Sequence, residues 1–272
     1  VNSTLACSIV AKKLCIPVAH VEAGLRSGDM TMPEEINRLV TDSISDWFFV
    51  TEPSGVNHLR AEGKPRGAIH YVGHVMVDNL LYQVERLAQS EILDNQLGAL
   101  KERATANCQR YGIVTLHRPS NVDNAEVLAR LAGALDEIAE ELPLIFPVHP
   151  RTRASIESFG IYLGPNITMI EPQGYMSFLS LWKDAAIVLT DSGGLQEETT
   201  ALGVPCLTLR ENTERPVTVD EGTNILVGTN RGRIIAEARK VLRCGGKEGR
   251  RPEFWDGRAA ERIVRILAKE LA

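Results

Sequence analysis

The sequence has no apolar run approaching the roughly 20 residues that span a bilayer, and no charged-then-apolar leader of the signal-peptide kind. It has no excess of base. Thirty Lys and Arg against 35 Asp and Glu leave a formal charge of −5, which argues against a general nucleic-acid binder with a basic face. A small anion is still admissible, because backbone N–H groups and a few arginines suffice to hold one. Cysteines are sparse and odd in number: Cys7, Cys15, Cys108, Cys206 and Cys244, with no C-x-x-C pair. That speaks against a disulfide framework or structural zinc and for reduced thiols in a cytoplasm.

Several catalytic signatures are missing as well. No G-x-G-x-x-G follows a strand, which removes the main support for a nicotinamide or flavin enzyme. No G-x-x-x-x-G-K-[ST] occurs, disfavouring a P-loop nucleotidase. Neither H-E-x-x-H, a compact metal cluster nor a G-x-S-x-G elbow is present. Internal repeats and low-complexity tracts are absent too.

What is present is an alternation. Short β-branched runs near 17–21, 47–51, 69–72, 111–116, 144–148, 167–170, 186–190, 205–209 and 224–227 are separated by helical patterns. Pro33 opens one helix at its first turn, and another closes at Gly203 with Pro205 two residues later. Strand–helix–strand repetition predicts an α/β protein with parallel sheets covered on both faces. At 272 residues the chain exceeds one average domain. A polar stretch near 90–106 divides it into an N-terminal part, 1–106, and a second domain, 107–255, followed by an amphipathic helix, 256–272. The second part holds six predicted strands, enough for a doubly wound unit. The first holds three and opens in a helix, so it is either a small lobe or a Rossmann-like domain whose first strands are not in this sequence.

Four segments carry candidate chemistry. In TDSGGLQEE a strand ends at Asp191, and Ser192, Gly193 and Gly194 turn into a helix whose backbone N–H groups suit a diphosphate. Glu197 or Glu198 would then take the ribose hydroxyls; a plain tight turn with dipole-favoured acids is the alternative. In HVEAGLRSGDMTMPEEINR, His20 and Glu22 lie at a strand's carboxyl end, where open α/β sheets bind ligands. Glu34 and Glu35 start the next helix, where Glu35 reads as ordinary capping. In TLHRPSNVD, His117 and Arg118 follow the first strand of the second domain. In FPVHPRTR, His149, Arg151 and Arg153 end another strand, the two arginines being equally compatible with a solvated helix. Phe178 would stack on a base or belong to the core. Two close acids push their pKa values apart, giving one base and one proton donor. These pieces describe two Rossmann-like domains holding a nucleotide diphosphate in the cleft between them.

HVEAGLRS, PEEINR, TLHRPSNVD, TDSGGLQEE and ERP, in this order and spacing, resemble the non-hydrolysing UDP-N-acetylglucosamine 2-epimerases over nearly the whole chain. The resemblance implies a GT-B-like pair of Rossmann-like domains, the first incomplete, and interconversion of UDP-GlcNAc and UDP-ManNAc at sugar carbon 2. By this resemblance Glu22 and Glu34 are acid/base carboxylates and His117 a catalytic histidine near the phosphates. Ser192 and Gly193 hold the diphosphate, and Glu198 the ribose. Arg215 and His149 serve the UDP portion or a neighbouring site, and Phe178 lies near the uracil. No metal or redox cofactor, nucleic acid or membrane is implied; the expected partner is a second copy in a cytoplasmic homodimer. The family pattern places a Gly-Asp pair, with a further catalytic carboxylate, just ahead of Val1. The loop between Arg26 and Pro33 is short, and HRPSNVD stands where HRREN is commoner. Two other readings share the scaffold: an epimerase of a UDP-2,3-diacetamido uronic acid, and a retaining GT-B glycosyltransferase.

Overall fold

The computed structural model describes residues 2–89, 98–102 and 110–272. Among these, nine strands form two wholly parallel sheets. In chain order they are β1 (Ala19–Val21), β2 (Trp47–Val50), β3 (Ile69–Tyr71), β4 (Gly112–Thr115), β5 (Leu144–Pro147), β6 (Ile167–Ile170), β7 (Ile187–Thr190), β8 (Cys206–Thr208) and β9 (Asn224–Leu226). Each falls within a run expected from the sequence. The predicted polar connector near 90–106 lies mostly outside the described residues.

The chain divides into two compact units. One takes Val1–Tyr82, Glu214–Asp220 and Pro252–Ala272; the other takes Gln83–Thr213 and Glu221–Arg251. This departs from the sequential division at 106 and 255, because two later segments return to the first unit. The terminal helix Ala259–Glu270 shows why. Its Ile263 packs with Phe49 and Val72 of the first unit, and Asp78 accepts hydrogen bonds from Ala259 N and Ala260 N at 3.1 and 2.7 Å. That carboxylate satisfies orphan N–H groups which the helix's own N-cap, Arg258, leaves uncapped. Val264, expected on the apolar face, is exposed, since one residue's 100° step carries it off the Ile263 stripe.

The first unit's sheet runs β1-β2-β3. Its middle strand is buried on both faces. Phe48 and Val50 join one apolar cluster with Ala23 and Leu59, and Phe49 joins the other, as the two-residue period of a strand requires.

The second unit's sheet runs β6-β5-β4-β7-β8-β9, a doubly wound order in which the chain starts at β4 and leaves in both directions. Its core gathers Val114, Leu144, Phe146 and Leu189 against Leu131 and Leu135 of helix Ala125–Ala139 and Ile234 and Ala238 of helix Arg231–Cys244. Burying each of the Val, Leu, Ile and Phe side chains among these is worth about 1.5–3 kcal/mol. The switch point lies between β4 and β7, whose register pairs Thr115 with Thr190. Ligands of open α/β sheets bind beyond the carboxyl ends of strands at such a point.

Candidate active site

In the second unit, His117 and Arg118 follow β4, and Asp191 and Ser192 follow β7. Asp191 is fully buried. Its carboxylate accepts from His117 N at 3.1 and 3.0 Å, Arg118 N at 2.9 Å and Asn121 Nδ2 at 3.2 Å, and lies 2.9 Å from His117 Nδ1. Burial alone would raise its pKa. The His117 contact and the Arg118 and His117 backbone bonds outweigh that and hold it below the usual carboxylate range. With Nδ1 donating to Asp191, a neutral His117 ring presents the Nε2 lone pair outward. The His117 side chain remains 41% exposed.

Beyond the ends of β4 and β5 lies an open hollow of about 180 Å³ lined by Thr115, His117, Pro147, His149, Gln173 and Phe178. His149 is the N-cap of helix Pro150–Ser158, its Nδ1 accepting from Arg151 N at 3.2 Å. That bond puts the proton of the neutral ring on Nε2, so His149 presents a donor where His117 presents an acceptor. The two ring centroids are 6.5 Å apart. Phe178, for which stacking and core were both open, lines this hollow. Arg151 pairs with Asp123, and Arg153 with Glu171 at 2.9 Å, on exposed surface, in keeping with the solvated-helix alternative.

Ser192 is the N-cap of helix Gly193–Leu202, with no side-chain cap bond, and Ser192 N donates to Thr190 Oγ1 at 2.9 Å. Gly193 and Gly194 form the first turn. Glu198 is buried on the same helix and accepts from Tyr175 Oη at 2.9 Å. Gln196 is buried beneath, tied to Ser192 O, Thr213 and Asn224.

In the first unit, Glu22 directly follows β1 in the left-handed region, at φ 67°. Its carboxylate is 3.8 Å from Nδ1 of the buried His74, whose ring meets Trp255 edge-on at 5.3 Å. The turn after Glu22 is clamped from several sides. Asp42, fully buried, contacts His20 Nδ1 at 2.6 Å, Gly24 N at 3.0 Å and Arg26 at 2.7 Å. Burial opposes its ionisation, but His20 and Arg26 prevail and lower its pKa. Arg26 also pairs with Glu62 at 2.8 Å. Gly24 passes so close to Gly55 that a Cβ would sit 2.4 Å from the Gly55 carbonyl oxygen.

Glu34 is exposed on the first turn of helix Pro33–Ile44, whereas Glu35 is buried. Glu35 accepts from Ser27 N, Gly28 N and Arg38. It therefore anchors the preceding loop rather than capping its own helix. Arg215 belongs to the first unit, paired with the buried Glu214 at 2.5 Å; His117, His149, Phe178, Ser192 and Glu198 all belong to the second.

Asp191, Asp42, His74 and Tyr175 were not singled out from the sequence as site residues. For Asp42 the structure supplies the sign: helix Pro33–Ile44 buries Glu35, Asn37, Thr41 and Asp42 while Ile36 is exposed. A helix whose protected face is polar is organising something other than a hydrophobic core.

The family model described as UDP-N-acetylglucosamine 2-epimerase matches residues 1–268. The chain belongs to the UDP-N-acetylglucosamine 2-epimerase family. Within this family it is 43% identical over 276 residues to the UDP-N-acetylglucosamine 2-epimerase of Methanocaldococcus jannaschii, covering 98% of this chain and 72% of that protein. It is 40% identical over 275 residues to the UDP-2,3-diacetamido-2,3-dideoxy-D-glucuronate 2-epimerase of Pseudomonas aeruginosa, with 98% and 72% covered. The crystal structure of the M. jannaschii epimerase in complex with UDP-GlcNAc and UDP superposes with a TM-score of 0.87 at 42% identity, covering 99% of this chain and 74% of that one. An epimerase of Neisseria meningitidis bound to UDP-GlcNAc gives 0.82 at 31%, covering 99% and 74%. Among the described residues no helix is long and apolar enough to cross a membrane, and no group of three or more His, Cys, Asp or Glu is placed to hold a metal.

Proposed function

We propose that the chain interconverts UDP-GlcNAc and UDP-ManNAc by inversion at sugar carbon 2. The observation that carries this reading is the pairing of buried Asp191 with the partly exposed His117 at the β4/β7 switch point, beside the helix that begins at Ser192-Gly193-Gly194. The hydrogen on carbon 2 is not next to a carbonyl, so direct deprotonation and reprotonation is too costly. Elimination avoids this. A carboxylate removes the carbon-2 proton, the bond from carbon 1 to the diphosphate oxygen breaks, and UDP leaves a 2-acetamidoglucal. The glucal turns over, UDP adds back at carbon 1, and a proton is delivered to the other face of carbon 2.

In this reading Glu22 and Glu34 move the proton, and His117, oriented by Asp191, stabilises the departing diphosphate oxygen. Ser192, Gly193 and Gly194 supply N–H groups to the diphosphate, with Arg118 and Arg215 adding positive charge. Glu198 takes the ribose, and Phe178 and His149 the base end. The assembly proposed with it is a cytoplasmic homodimer. A second reading, epimerisation of a UDP-2,3-diacetamido uronic acid, is favoured by the 40% identity to the Pseudomonas enzyme.

Proton NMR of the protein with UDP-GlcNAc in deuterated water tests the proposal. Loss of the carbon-2 proton signal with new UDP-ManNAc anomeric peaks supports it. An unchanged UDP-GlcNAc spectrum alongside turnover of the diacetamido uronate would transfer the assignment to the second substrate.

A further inference from the structure

Segment 171–182 contributes Gln173 and Phe178 to the hollow at the ends of β4 and β5. Helix Gly193–Leu202 carries Glu198 and begins at the proposed diphosphate turn. A side-chain bond joins them: Tyr175 Oη donates to Glu198 Oε1 at 2.9 Å. Tyr175 opens helix Tyr175–Trp182 after an N-cap at Gly174, and the residue is 39% exposed while Glu198 is 7% exposed.

We infer that Tyr175 is the positioning residue that sets the ribose specificity of this site, by fixing the orientation of the Glu198 carboxylate. The inference rests on the reading of Glu198 as the ribose-binding carboxylate. A glutamate three torsions from its backbone loses rotamer freedom when it grips a ligand. A hydrogen bond to one oxygen removes most of that freedom beforehand, which is preorganisation. A carboxylate offers about four lone-pair sites, and the Tyr175 hydroxyl uses one of them. The phenol remains a donor throughout the working range, because burial and the Glu198 charge push its ionisation well above the ordinary tyrosine value. The same bond ties the segment bearing Phe178 to the helix bearing Glu198, so base and ribose recognition share one strut.

The test measures dissociation constants for UDP and 2′-deoxy-UDP by titration calorimetry, with the thermal midpoint of each protein recorded. The wild type is expected to prefer UDP by roughly tenfold or more, the scale of a charged hydrogen bond lost with the hydroxyl. Tyr175→Phe removes only the hydroxyl oxygen. It is expected to weaken UDP by about five- to tenfold, leave 2′-deoxy-UDP nearly unchanged, and so collapse the preference towards about twofold. A merely structural tyrosine would weaken both ligands equally. Retention of the wild-type ratio in Tyr175→Phe therefore overturns the inference, whatever the change in thermal midpoint. Glu198→Gln separates the two layers. If it loses the preference while Tyr175→Phe keeps it, Glu198 binds ribose and Tyr175 does not position it. If Glu198→Gln keeps the preference, the ribose role of Glu198 falls and the role of Tyr175 with it.

Discussion

His117 Nδ1 and the Asp191 carboxylate lie 2.9 Å apart, one residue following β4 and the other following its parallel neighbour β7. Asp191 also accepts both backbone N–H groups of the His117–Arg118 step. A single buried carboxylate therefore fixes the loop's path and the imidazole's tautomer together. Replacing Asp191 with Asn keeps the shape but turns an acceptor into a partial donor against those N–H groups. In Asp191→Asn, kcat for epimerisation is expected to fall roughly 10²–10⁴-fold, the range typical of a mis-set acid/base group. The UDP dissociation constant should shift by less than about tenfold. Steady-state kinetics and calorimetry on the same preparation check both; an unchanged kcat would remove His117 from the chemistry.

Glu22 and helix Gly193–Leu202, proposed to hold the diphosphate, belong to different units, so on the proposed roles proton transfer and UDP affinity should separate on mutation. Glu22→Gln is expected to suppress deuterium incorporation at carbon 2 by about 10²–10⁴-fold while UDP still binds. A matched loss of both would show that Glu22 holds the fold of its turn rather than the proton.

Arg26 is buried against Asp42 and Glu62. Arg26→Met leaves the buried Asp42 charge with a weaker set of partners and should cost about 3–5 kcal/mol in urea unfolding. Lys12→Met removes the half-exposed pair with Asp46 and should cost no more than about 1 kcal/mol. Equal losses would mean that the Asp42 network has no special weight.

Gly24 sits at φ 81°, with no room for a Cβ beside Gly55. Gly24→Ala combines left-handed backbone strain with a main-chain clash and should destabilise by roughly 2–5 kcal/mol. Gly63→Ala, also at positive φ but with nothing within 4 Å of the added carbon, isolates the backbone part at about 1–2 kcal/mol. The difference between their urea midpoints measures the clash.

Asp42 and Asp191 both have pKa values held below normal in the folded state, because hydrogen bonds and nearby positive charge outweigh burial. A depressed folded value means that their stabilisation is complete above the unfolded aspartate pKa, about 3.9. It is lost as pH falls from there through the folded values. The urea midpoint should therefore drop between about pH 5 and pH 2, and Asp42→Asn should flatten part of that slope.

The strands were legible because β-branched and aliphatic runs bounded by Gly and Pro are local signals; β6, expected over 167–170, is Ile167–Ile170. The doubly wound class was equally open to reading, since six such runs alternating with helices in the second half admit few arrangements. His117, Ser192 and Glu198 stood out as residues at strand ends and helix starts. Asp191 was visible as the end of a strand, but nothing in the linear order says that its carboxylate turns to meet a histidine 74 residues earlier. The partners of Asp42, which lies 22 residues from His20 and 16 from Arg26, were hidden for the same reason.

The sequence by itself determined the class, the strands and the helix-start turn at Ser192-Gly193-Gly194, because hydrophobic period, turn chemistry and orphan N–H groups act within a few residues. Only the tertiary structure decided that Glu214–Asp220 and the terminal helix return to the first unit. It alone decided that Glu35 anchors a loop while Glu34 stays exposed, and which carboxylates hold which imidazoles. Those outcomes depend on pairing groups far apart in the chain, whose charge is stable in the interior only when a partner meets it there.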